Sequence, residues 1–423
     1  MSVGRVRRIL SIVVFVGTCC VLSARAAQGA DDGVPHRGGR MIFYGGGPMP
    51  DRIVELVDGR SAADFLSNSL PGSVVVRNYD ERNDRTKLAA ALAKAPKCFG
   101  VGIAPATALV RVGRELSVVG DGAVVVLLPA SASRPEKMLR LREHMREDYL
   151  ALRRAAKARA ADPFPKPELA KPMVAGGSLF IVGGGSLPEA LRTKFVELAG
   201  GKRAKIVVVP TASATADLAA DADVPWIQRA GVADVRILHA RTRAEANSPE
   251  LLAKLQDATG VWFGGGRQWR IVDAYEGTKA YDAYHDVLRR GGVIGGSSAG
   301  ATIQGEYLVR GSPVVNTIMM AEGYERGFNF LPGAAIDQHF TQRGRAPDMQ
   351  TLKRTFPQLL GLGIDEATAV VVRGTELEVI GDNTVSIYPP TKEPADGDGP
   401  QPQVLRASER YDLRTFSLIR AEK

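Results

Sequence analysis

The chain has 423 residues, of which 45% are hydrophobic and 24% charged, and a formal net charge of +9. That composition excludes a dominantly disordered chain, and the length suits two or three units each burying its own core. The 46 Gly and 25 Pro follow no Gly-X-Y period, which excludes a collagen-like rod and points to many turns between strands and helices.

In chain order, Arg5, Arg7 and Arg8 precede an apolar run from Ile9 to Leu22 and the small-x-small triplet Ala24-Arg25-Ala26. This is the pattern of a secretory signal peptide over residues 1–26, and the run falls short of the ~20 apolar residues that span a bilayer. The expected location is secreted or periplasmic, with no stable membrane anchor after cleavage. Thr18 stands where a lipoprotein site at Cys19 would want Gly or Ala. Cleavage removes Cys19 and Cys20, leaves Cys98 as the single cysteine and so precludes an intrachain disulfide. It also removes Arg5, Arg7, Arg8 and Arg25, and the net charge becomes 9 − 4 = +5, too mild to indicate a nucleic-acid or membrane surface.

The next stretch is related to a later one. An offset of 261 aligns Leu70–Val126 with Leu331–Ile387 without a gap, with 19 identities in 57 positions. A second offset, 138, pairs Met41-Ile-Phe-Tyr-Gly-Gly-Gly47 with Leu179-Phe-Ile-Val-Gly-Gly-Gly185. Opposed positions differ in chemistry: Asn78 faces His339, and Ala104-Pro105 faces Asp365-Glu366. Residues 39–130 are therefore expected to be a truncated, degenerate and non-catalytic α/β copy of the C-terminal unit. Such a copy could replace a second subunit, so the expectation is a homodimer or an intrachain pseudo-dimer.

From Pro135 to about Ala161, Leu139, Met145, Leu150 and Leu152 recur at roughly helical spacing, which predicts a long surface helix. Asp162-Pro-Phe-Pro-Lys-Pro-Glu-Leu-Ala-Lys-Pro172 then predicts an extended linker, because each proline bars helix at the residue before it. Residues 131–175 thus read as a helical and Pro-rich linker to a unit spanning 176–423.

In that unit, apolar runs at Ser178–Val182, Ala204–Val209, Val235–Leu238, Gly260–Phe263 and Gly292–Ile294 end in glycine or polar turns and are followed by amphipathic stretches. The alternation predicts an α/β fold, a mostly parallel twisted sheet with helices on both faces, whose ligands gather at the carboxyl ends of strands. Near the C-terminus, Pro389–Pro402 reads as a loop before a strand-like stretch over Val404–Leu418.

Several strand ends carry chemistry. Gly296-Ser297-Ser298-Ala299-Gly300 has the form G-x-S-x-G, in which glycines permit a sharp strand-to-helix turn that lifts the serine hydroxyl clear of the sheet. The Ala299 amide would then face a developing oxyanion. A serine needs a base, and His339, in Ala335-Ile-Asp-Gln-His-Phe340, ends another apolar run, unlike His36, His144, His239 and His285. Gly361-Leu-Gly-Ile-Asp-Glu366 supplies an orienting acid, Glu366 before Asp365. Phe263-Gly-Gly-Gly-Arg-Gln268 closes a further strand, and its amides, Gly265 included, could complete the oxyanion hole. The rival reading of this loop and of Gly183-Gly184-Gly185 is a phosphate cradle, but neither carries a nucleotide-binding fingerprint.

Together these motifs resemble the serine peptidase family that includes cyanophycinase and the aspartyl dipeptidases. The resemblance runs from about Gly177 to Pro389 and also rests on Lys205-Ile-Val-Val-Val-Pro-Thr-Ala-Ser213 and Asp337-Gln-His-Phe-x-x-Arg-x-Arg345. It implies a sheet similar to the class I glutamine amidotransferases, often dimeric, with no metal or organic cofactor. Ser298 would be nucleophile, His339 base and Glu366 its orienting acid, with Gln268, Asp337, Gln338, Arg343 and Arg345 in the pocket. The implied substrate is a peptide or polymer such as cyanophycin, a poly-aspartate carrying arginine on its side chains. Two positions depart from the cyanophycinase pattern: Arg267 replaces Asp in Gly-Gly-Asp-Gln, and Asp348 replaces a third arginine after Arg345. Both reverse charge near the expected pocket. A non-catalytic polymer-binding protein and a serine esterase, whose acid would precede the histidine as Asp337 does, are the competing readings.

Overall fold

The computed structural model describes residues 40–47, 52, 70–161, 163–215, 223–394 and 401–420. The leader of residues 1–26, His36, Asp162 and residues 395–400 lie outside the described residues.

The first unit carries β1 (Arg40–Tyr44), β2 (Ser73–Arg77), β3 (Phe99–Ile103), β4 (Thr107–Val112), β5 (Glu115–Gly120), β6 (Val124–Leu128), β7 (Lys137–Leu141) and β8 (Arg146–Asp148). They form two four-stranded sheets, in the orders β1-β4-β5-β8 and β2-β3-β6-β7. The second unit carries β9 (Val174–Val182), β10 (Lys205–Val209), β11 (Asp234–Ile237), β12 (Gly260–Phe263), β13 (Val293–Ser297), β14 (Gly305–Tyr307) and β15 (Leu331–Gln338). It continues with β16 (Leu360–Ile364), β17 (Thr368–Gly374), β18 (Glu376–Gly381), β19 (Val385–Tyr388), β20 (Gln403–Leu405), β21 (Arg410–Asp412) and β22 (Ser417–Ile419).

The large sheet runs β11-β10-β12-β13-β9-β17-β18-β21-β22, and a five-stranded sheet runs β14-β15-β16-β19-β20. The expectation of a mostly parallel sheet is corrected to a mixed one. The neighbours from β11 to β9 pair in parallel, whereas β9 to β22 pair antiparallel. The reason is local: β17 leads straight back into β18 through a tight turn at Gly374, which only antiparallel strands allow.

Helices do cover both faces. Successive side chains of a strand point to opposite sides, so Leu179, Ile181, Val207 and Val209 enter one core with Ile271, Tyr275 and Val287 of the helices Gln268–Tyr275 and Lys279–Arg289. Phe180, Val182, Ile206 and Val208 enter the other, with Phe195 of the helix Glu189–Leu198 and Trp226. The turns at the strand ends are thus held by a sheet buried on both sides.

The predicted helix over Pro135–Ala161 is not one element. Residues 137–141 pair with β6 as β7, residues 146–148 pair with β5 as β8, and only Tyr149–Arg159 is helical. His144, at φ +70, turns the chain between the two strands, and the Asp148 carboxylate caps the helix by accepting from the Ala151 amide at 2.8 Å. Leu139 and Leu150, which suggested one helical stripe, pack on the first unit's core from a strand and a helix respectively.

The pairing registers of the two units coincide at the offsets found in the sequence. Tyr44 faces Ala108 as Val182 faces Ala369, and Val74 faces Gly100 as Ala335 faces Gly361. Thr107 faces Gly120 as Thr368 faces Gly381, and Gly100 faces Leu127 as Gly361 faces Tyr388. Strands β10 to β14 have no counterpart among the described residues of the first unit.

The units meet through arginines on one side and acids on the other. Arg114 reaches Asp273 at 2.8 Å and the Tyr324 hydroxyl at 2.8 Å, and Arg134 reaches Glu325 at 2.8 Å. Arg154 pairs with Glu276 at 2.7 Å, and Arg159 with Glu322 at 2.8 Å. Burial raises the Glu322 carboxyl, but Lys137, Arg159 and Arg134 outweigh it and hold the group below the ordinary glutamate value.

Candidate active site

The turn after β13 explains its own glycines. A Cβ on Gly300 would stand 1.9 Å from the Phe263 carbonyl oxygen, and one on Gly296 2.5 Å from that of Gly300, so backbone occupies the space any side chain would need. Between them Ser298 adopts φ +55 and ψ −111, a conformation worth about 1–3 kcal/mol of strain, and the helix Ala299–Thr302 starts immediately after it. The Ala299 N–H belongs to the first turn, whose amides find no acceptor within the helix. Gly265, across from it, would place a Cβ 3.7 Å from that of Ser298. Both amides are candidates to receive an oxyanion.

His339 follows β15 at φ +49 and is 7% exposed. Its Nε2 lies 3.0 Å from Ser298 Oγ, and its Nδ1 lies 2.5 Å from Glu366 Oε1. Burial pushes the imidazole below its ordinary value, Arg343 and Arg345 push the same way, and the hydrogen bond that Glu366 accepts from it opposes them. The shift favours the neutral ring, the form able to accept a proton. Asp365 is occupied elsewhere: its carboxylate accepts from the Thr341 amide at 2.9 Å and the Thr384 hydroxyl at 2.6 Å.

The loop Gly183–Gly185 is packed against this imidazole and carboxylate. A Cβ on Gly184 would sit 2.3 Å from His339 Cε1, and one on Gly185 2.7 Å from Glu366 Oε2. The loop's carbonyls accept from His339 N at 2.7 Å and Ala367 N at 3.0 Å. The phosphate-cradle reading of these glycines overlooked this contact.

The remaining expected residues separate into two groups. Gln338 carries its Oε1 3.5 Å from Ser298 Oγ, and Arg343 is exposed at the rim. Asp337 is fully buried and takes no part in the Ser298–His339 contact. It accepts from Arg310 Nη2 at 2.9 Å and Arg345 Nη1 at 2.8 Å, and Arg345 also donates to the Gln338 carbonyl at 2.6 Å. Gln268 is likewise buried, with its side-chain amide donating to the Val309 carbonyl at 3.1 Å.

Arg310 escaped the sequence reading. It stands between Asp337 and Asp348, the latter at 2.7 Å, so the charge reversal at position 348 is answered by a cation from another loop. Arg267 donates to the Ser312 carbonyl at 2.6 Å. Among the described residues no three His, Cys, Asp or Glu side chains are grouped as a metal site requires.

Chemically, the arrangement offers a hydroxyl, a neutral imidazole and a carboxylate in line, with amides beside the hydroxyl. Comparison with known proteins agrees in kind. Residues 179–380 match peptidase family S51. A cyanophycinase of Trichormus variabilis is 30% identical over 236 residues, covering 53% of this chain and 78% of that protein. A cyanophycinase of Synechococcus elongatus is 34% identical over 206 residues, 47% of this chain and 62% of that protein. Among solved structures, a peptidase from an acI-B1 Actinobacterium aligns over 57% of this chain and 98% of its own at 24% identity, with a TM-score of 0.45. The chain belongs to peptidase family S51 and is a serine-type peptidase related to the cyanophycinases.

Proposed function

We propose that the protein hydrolyses peptide or isopeptide bonds through an acyl-enzyme on Ser298, with an Asp-rich or β-aspartyl-arginine polymer as substrate. The observation that carries this reading is the 3.0 Å contact from Ser298 Oγ to His339 Nε2, continued from Nδ1 to Glu366. Ser298 Oγ attacks the scissile carbonyl carbon while its proton passes to His339 Nε2. Glu366 holds the tautomer and stabilises the imidazolium. The oxyanion is received by the Ala299 and Gly265 amides. The C–N bond then breaks, the imidazolium returns its proton to the leaving nitrogen, and water, deprotonated by the same imidazole, releases the acyl group.

The first unit is, on this proposal, a degenerate copy without chemistry of its own. Matching registers support it, and so does Asn78, which repeats the backbone of His339 without an imidazole. Export rests on the leader sequence alone. Two experiments test the proposal: labelling by a fluorophosphonate probe, expected at Ser298, and turnover of cyanophycin and β-aspartyl dipeptides by protein lacking residues 1–26. Turnover without labelling, or labelling at another serine, overturns the assignment.

A further inference from the structure

His339 and Glu366 stand on the β9 side of Ser298. On the other side, Arg267 and Arg270, which follow β12, and Arg241, which follows β11, gather around the turn over residues 211–213 after β10. All three residues are partly exposed. Arg270 donates to the Ala212 carbonyl at 2.8 Å and lies over the Trp269 ring at 4.9 Å. Arg241 donates to the carbonyls of Thr211 at 3.0 Å and Ser213 at 2.9 Å, next to Ala212. Arg267, whose backbone amide bonds the same Ala212 carbonyl, donates one N–H to Ser312, while its Nε is buried with no acceptor.

These arginines rest on carbonyl oxygens. Among the described residues none of the three forms an ion pair with a carboxylate, in contrast to Arg114 nearby, which pairs with Asp148 and Asp273. Asp223, whose carboxylate lies against Gly264, accepts from the Trp226 indole. Like charges brought together in a partly dry site repel one another, and burial together with Arg241, Arg267 and Arg114 lowers Arg270 from its ordinary value. A planar guanidinium with spare N–H donors and no acid to hold it is matched by a carboxylate.

We propose that Arg241, Arg267 and Arg270 form a carboxylate-binding subsite that holds an acidic group of the substrate on the side of Ser298 away from His339. The proposal rests on the reading of Ser298 as nucleophile. It makes the protein selective for acid at that position, whether an Asp or Glu side chain or a chain-terminal carboxylate.

Binding separates this from the chemistry. In the full protein carrying Ser298→Ala, calorimetry compares acetylated tetra-aspartate amide with tetra-asparagine amide, and then tetra-asparagine with a free carboxyl terminus. At least about tenfold tighter binding of one acidic form is expected, and which of the two gains identifies a side-chain or a terminal carboxylate as ligand. Arg267→Gln and Arg270→Gln should each reduce that preference to about threefold or less, with Arg267→Lys retaining part of it and reporting on folding. Equal binding of charged and neutral peptides, or a preference unchanged in both Gln variants, overturns the subsite. Fluorophosphonate labelling of the wild-type chain reads the nucleophile independently, so either reading can fail without the other.

Discussion

Asn78 and His339 stand at matching positions of two stretches whose strand registers coincide. Their φ values are +50 and +49, and their amides donate to the carbonyls of Gly45 and Gly183 at 2.6 and 2.7 Å. Ala106 and Ala367, 261 positions apart, repeat each other at φ +53 and +54, bonded to Gly46 and Gly184. A Cβ on Gly102 would meet the Tyr79 ring, as one on Gly363 would meet that of Phe340. The left-handed turn under the histidine is therefore a property of the fold, kept where no imidazole uses it. What differs is the titratable set, which the second unit has and the first lacks.

Exchanging residues between the units sharpens that contrast. His339→Asn, which installs the first unit's residue, should lower kcat by about three powers of ten or more while leaving the melting temperature nearly unchanged, because asparagine already tolerates this backbone in the first unit. A variant that keeps activity would break the comparison. Asp337→Val copies Val76 and strips the carboxylate shared by Arg310 and Arg345. Arg310 keeps Asp348, but Arg345 is left buried without its carboxylate, which should cost about 3–5 kcal/mol, read by denaturant unfolding, and a stability equal to wild type would contradict the buried network.

Gly184→Ala and Gly46→Ala are a matched pair at positive φ. Both should destabilise the fold, but Gly184→Ala also displaces the His339 ring and should lower kcat/KM by about a hundredfold, whereas the Gly46 variant keeps its activity. Equal activities would detach the glycine loop from the base. The smallest effect is in pH. His339 must be neutral to act, and its depressed pKa places the acid limb of kcat/KM below 6.5, activity being lost as pH falls through that limb. Arg343→Gln removes a repelling cation and should move the limb upward by a fraction of a pH unit. A limb above 6.5 in the wild type would show that the imidazole is stabilised in its charged form instead.

Much of this was legible in the sequence where the signal was local. The runs that became β10, β12 and β13 are short apolar segments closed by turns, and Ser298, His339 and Glu366 each sit one or two residues past a strand. Arg310 was invisible because its meaning depends on Asp337, 27 residues away on another strand. The two strands read as helix at 137–148 failed for a related reason: their leucines recur at a spacing that fits either period, and only pairing with β5 and β6 decides between them. The glycines at 183–185 were visible as a loop, but their neighbours come from β15 and β16, which sequence order does not place beside them.

The seam between the units has a consequence of its own. Its cations, Arg114, Arg134, Arg154 and Arg159, all belong to the first unit, and its acids, Asp273, Glu276, Glu322 and Glu325, to the second. Cut free at this seam, the second unit would bare Asp273, Glu322 and Glu325, while Glu276 would keep Arg243, and a polyanionic chain approaching these carboxylates would be repelled at low ionic strength. The first unit thus serves these acids as a counter-ion attached through the chain itself.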